Sequence, residues 1–137
     1  MSETAWAHLP NARLIDEILA DFTARPQVWD RAWFESYTFG RAAAWSEARD
    51  AARRTEKSAA HEILWFAIWH RALGPTSWNA AWRPAKGASY ALAVWPSSAD
   101  LLPLTPDALR TIIDTCDGAV KHQAVLLLPA VIARSRV

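Results

Sequence analysis

Residues 61–83, "HEILWFAIWHRALGPTSWNAAWR", open with a His-Glu pair and carry four tryptophans. Metal ligation is therefore the first chemistry to weigh. In the zinc hydrolase motif H-E-x-x-H, two histidines four residues apart share one helix face and grip one ion. Here Trp65 stands at the second histidine's place and the next histidine is His70. At about 100° per residue, His61 and His70 fall on opposite faces of one helix and cannot share an ion. No Glu-x-x-His triplet of the carboxylate-bridged di-iron type occurs in the chain. No metal and no cofactor are expected.

Nucleophilic and phosphate-binding chemistry find no better footing. There is no G-x-S-x-G elbow and no glycine-rich phosphate loop, and the chain has only four glycines. Cys116, the sole cysteine, lies between Asp114 and Asp117, without the positive surroundings that activate a thiolate. No catalytic residue is assigned, and the chain reads as a non-enzyme.

The tryptophans remain. Average usage gives about one or two in a chain of this length, whereas this one has nine. Trp29/Trp33, Trp65/Trp69 and Trp78/Trp82 are each four residues apart, so each pair shares a helix face. The first two pairs lie in longer apolar stripes and are expected in the core. The third sits on a short proline-bounded piece with Asn79 and Arg83. Trp and Arg together are what interface hot spots favour, which makes Trp78, Asn79, Trp82 and Arg83 the first candidate partner-binding surface. Arg41, Trp45, Arg49 and Arg53, at four-residue steps, form the second.

These side chains need helices to position them. "NARLIDEILADF" predicts an amphipathic helix over residues 11–24, capped by Asn11 and burying Leu14, Ile15, Ile18, Leu19 and Phe22. Pro26 suits the first turn of a second helix, ending near Phe39-Gly40. Residues 41–54, "RAAAWSEARDAARR", favour a third, whose face of Ala44, Ala48, Ala51 and Thr55 invites close approach of a neighbour. Residues 61–73 are apolar nearly all round, the mark of an enclosed helix, and stop at Gly74-Pro75. Pro84 is expected to end a short turn, and "PAKG" to be a loop. "ASYALAVWP" fits helix or strand, and helix is preferred because no partner strand is in sight. Thr105-Pro106-Asp107 starts another helix. The last, about 119–134, should kink or break at Pro129.

The Ala, Trp and Arg alternation of "RAAAWSEARDAARR" and the later "LLLPA" resemble small Ala/Trp/Arg-rich all-helical proteins encoded by phages and bacteria. The resemblance implies a helical fold and a phage or bacterial source. It assigns no functional residue.

The whole is expected to be all-α: a single domain spanning residues 1–137, with five to seven helices around the central apolar helix 61–73 and flexible ends at 1–10 and 134–137. Fifteen basic against fourteen acidic residues leave a net charge of +1, too little field to make nucleic acid or an anionic membrane the default partner. The longest wholly apolar run, residues 124–133, is well short of the ~20 needed to span a bilayer. With no secretory pattern at the start and one cysteine, a cytoplasmic location is expected. The function expected is protein binding, as a phage or bacterial inhibitor, immunity protein or adaptor, with a homo-oligomer open. The alternatives are a helical module for a small aromatic or apolar ligand, and an unrecognised enzyme.

Overall fold

Prolines open helices in this chain. Pro26 and Pro106 each stand at a first helical position, where the missing amide costs nothing because the first N–H groups of a helix have no intrahelical acceptor. The computed structural model describes residues 9–37, 41–55 and 82–136. They form six α-helices: α1 (Ala12–Ala24), α2 (Pro26–Tyr37), α3 (Arg41–Thr55), α4 (Trp82–Val94), α5 (Pro106–Thr115) and α6 (Ala119–Ser135). A 3-10 turn, Pro96–Asp100, follows α4. No strand occurs among the described residues, and the chain is an all-α bundle.

Residues 61–73, the expected centre, lie outside the described residues. Among those described, the enclosed helix is α6, every residue of which from Gln123 to Ala133 is buried. It packs against α2, α3, α4 and α5. It also continues through Pro129 to Ser135 as one helix instead of breaking there. Proline removes one internal hydrogen bond, and close packing on four neighbours holds the helix together across the gap.

Two further expectations are corrected. Pro84 does not end an element, and "PAKG" is not a loop: both belong to α4. Pro84 is its third residue, still within the turn whose amides need no intrahelical partner. α4 is the second enclosed helix, with Ala85, Ala88, Ala91 and Leu92 at most 1% exposed, and it packs on α1, α2, α3 and α6. The helical reading of "ASYALAVWP" agrees with this.

Asn11 precedes α1 but its side chain makes no capping bond there. Its Nδ2 donates instead to the carbonyls of Leu92 and Pro96, each at 3.0 Å. Leu92 would normally receive the amide of residue 96, which is proline and has none, so Asn11 supplies the missing donor and joins α1 to the end of α4. Thr105 caps α5 as its type and place suggest, accepting from the Ala108 amide at 3.1 Å. Gly118, at φ 73°, makes the turn into α6, a conformation that side chains with a Cβ rarely adopt.

Arg25 donates to the carbonyls of Arg136 and Ala133, and the Arg136 guanidinium pairs with Glu35. Trp29 and Trp33 are buried, as the apolar stripe requires, together with Trp45 and Trp95.

Candidate functional site

The second surface picked out by spacing is divided by the structure. Trp45 is buried, 5% exposed, and meets Trp33 edge to face at 5.4 Å between ring centres. It therefore serves the core and not an open face. Arg49 lies over the Trp45 ring, 5.7 Å from its centre, a cation-ring contact worth ~0.5–2 kcal/mol depending on how much water it excludes. Its Nη2 also reaches Asp50 at 3.3 Å. Arg53, one turn further, is exposed. The side chain of Arg41 is outside the description.

What lies across from this stripe was not visible in the sequence. The edge of the Trp45 indole stands so near Gly87 that a Cβ there would come 2.7 Å from Nε1. Glycine thus lets α3 and α4 close upon each other. Trp45 Nε1 finds no acceptor among the described residues. Beside Gly87, Lys86 is half-buried in the same seam. Burial first, and then the charges of Arg49 and Arg53, push its ammonium down to about 8. Arg49 and Arg53 on α3 thus lie near enough to Lys86 on α4 for their charges to act on it. Reading "PAKG" as a loop concealed this, because a lysine in a loop would be solvated. The available signal was its place two residues ahead of the largely apolar "ASYALAV".

Of the first candidate surface, Trp78 and Asn79 lie outside the described residues. Trp82 and Arg83 occupy the first two positions of α4, one turn before Lys86. The side chains of both lie outside the description. Of these four, the structure thus places the backbone of Trp82 and Arg83 alone, on a helix that packs against α3.

A second polar cluster joins α1 and α2. The Asp21 carboxylate accepts from Arg25 Nε at 2.9 Å and Nη2 at 2.7 Å, and from Trp29 Nε1 at 2.7 Å. Its lone pairs are engaged within the fold, so it works as a clamp and not as a free acid. Burial favours its neutral form, but the hydrogen bonds from Arg25 and Trp29 and the charges of Arg25 and Arg134 outweigh this and hold it below the usual carboxylate value.

Two clefts lie among the described residues. One, of about 170 Å³, is polar, with Glu47, Asp117, Lys121 and His122 around Gly118. The other, of about 310 Å³, runs between the 102–106 segment and the end of α6 and mixes Leu102, Leu104 and Val131 with Arg134. No group of three His, Cys, Asp or Glu among the described residues is placed to hold a metal ion. Cys116 is partly exposed, with Thr115 Oγ1 at 3.8 Å from its sulfur.

No family model matches the chain, and no curated protein or solved structure matches it either. No helix among the described residues is long and apolar enough to cross a membrane.

Proposed function

We propose that this chain is a small protein-binding module, cytoplasmic and without catalytic activity, that meets an acidic face of its partner at the α3–α4 seam. The convergence of Arg49, Arg53 and Lys86 there carries the reading. Cations near one another on a chain whose net charge is only +1 give a local field that steers an acidic partner without drawing in nucleic acid at large. Trp82 and Arg83 begin the same helix, and Trp and Arg are residue types that interface centres favour. An inhibitor, immunity protein or adaptor of phage or bacterial origin fits this design.

Exposed Arg53 provides the test. Arg53→Glu should leave the circular dichroism spectrum unchanged and lower recovery of a stoichiometric partner from host lysate by about tenfold, with a shallower salt dependence than wild type. Full recovery by this variant moves the interface away from the seam. The groove at residues 102–106 favours a second reading, a site for a small apolar ligand. Native mass spectrometry showing a retained small molecule supports that reading over the first.

A further inference from the structure

The cleft of about 170 Å³ at the start of α6 draws its lining from two helices. Ala44 and Glu47 come from α3, Asp117 stands just before Gly118, and Lys121, His122 and Val125 follow on α6. Two acids and two bases thus line one small space. No side chain of these four has a hydrogen bond or ion pair among the described residues. By contrast Asp21, Asp107 and Glu35 each meet an arginine. Glu47, Asp117 and His122 do not form a metal-ligating group, so the carboxylates are suited to an organic ammonium, which asks only for acceptors. The lining is also partly apolar, with Val125 buried and Ala44 partly so. At ~30 Å³ for each water in the liquid, the space holds about five or six waters, too small for a drug-sized ligand.

We propose that this cleft binds a small apolar α-amino acid, such as alanine or valine, as its zwitterion. The ligand's ammonium, with three donors and no acceptor, goes to Glu47 and Asp117. Its carboxylate, which only accepts, goes to Lys121 and the N–H of His122. Its side chain rests on Ala44 and Val125. A simple anion would have to face the two carboxylates, and a simple cation would have to face Lys121, each a like-charge encounter. A molecule that carries both charges a few bonds apart meets neither cost. Glu47 and Asp117 are exposed, so water and salt weaken each contact and the affinity falls in the millimolar range. The site uses none of the residues on which the protein-binding reading rests, so either can fail without the other.

The isolated full chain, labelled with ¹⁵N, is titrated at low ionic strength with alanine, with N-acetylalanine, which lacks the ammonium, and with alaninamide, which lacks the carboxylate. Amide shifts are followed residue by residue. Alanine is expected to give saturable shifts with a millimolar midpoint, confined to the neighbourhood of residues 44–47 and 117–125, and each blocked compound to bind about tenfold more weakly. Glu47→Gln and Lys121→Gln should each raise the alanine midpoint by about tenfold and leave the rest of the spectrum in place. The comparison of the three compounds uses the wild-type chain and so does not depend on a variant folding. Absence of saturable shifts at these residues overturns the proposal. So does an equal midpoint for N-acetylalanine, which would make the cleft an anion site, or for alaninamide, which would make it a cation site.

Discussion

Asp21 holds hydrogen bonds from two side chains that meet only because the chain turns at Arg25. In sequence it is one of four charged residues on the polar side of α1 and looks solvated. The helical pattern was legible. The clamp was not, because Trp29 reaches it from the next helix, and periodicity within one helix says nothing about donors on another. Asp21→Ala leaves Trp29 Nε1 without its acceptor and should cost about 1–3 kcal/mol. Because the carboxyl titrates below its usual value, the charged form's contribution is complete above the unfolded value and is lost as pH falls through the folded one. Asp21→Asn should therefore be less stable than wild type in urea at pH 6, and the gap should close toward pH 2. Gly87 offers a second residue-scale test. Glycine to alanine inside a helix ordinarily stabilises by about 0.5–1 kcal/mol. Here the new methyl would strike Trp45, a ring wedged between helices, so Gly87→Ala should instead lower stability by about 1–3 kcal/mol. Thermal denaturation of the two proteins decides the sign.

For the elements, proline and asparagine carried clear signals whose direction was partly misread. Pro26 and Pro106 announced the helices they open. Pro84 after a short apolar piece suggests an end, although proline is equally at home in a first turn, and only the packing of α4 decides between the two. Asn11 looked like an ordinary N-cap, because sequence shows a residue's type and its position but not a carbonyl 81 positions away. The two roles make opposite demands on chemistry. An N-cap needs an acceptor, and aspartate serves as well as asparagine; a bond to the Leu92 and Pro96 carbonyls needs a donor, which aspartate lacks. Asn11→Ala should cost about 1–2 kcal/mol, and Asn11→Asp at least as much, by chemical denaturation. Stability of Asn11→Asp equal to wild type would restore the capping role.

At the scale of the whole molecule, the all-α class was legible because apolar residues recur at helical spacing through most of the chain. The enclosed helix was harder to name. "AVLLLPAVIA" advertises burial as plainly as residues 61–73 do, yet its proline argued for a break. Neither helix period nor propensity reports how many neighbours will cover a proline. Leu127 is fully buried in α6, the helix on which α2, α3, α4 and α5 pack. Leu127→Ala should cost about 2–5 kcal/mol, and the far-ultraviolet and near-ultraviolet melting curves should shift together. Separate shifts would show that the helices do not depend on a common centre.

That α6 is the hub and follows all of its partners in the chain has a consequence during synthesis. The ribosome releases α2, α3, α4 and α5 before it has made the surface on which they settle. At about 5–20 residues per second, several seconds pass before α6 is there to cover the apolar stripes that pack on it. A nascent chain arrested before residue 119 should therefore be cut readily by protease, and one carried far enough for residue 135 to clear the exit tunnel should resist. Over that interval, a chaperone or an early partner would find its opportunity.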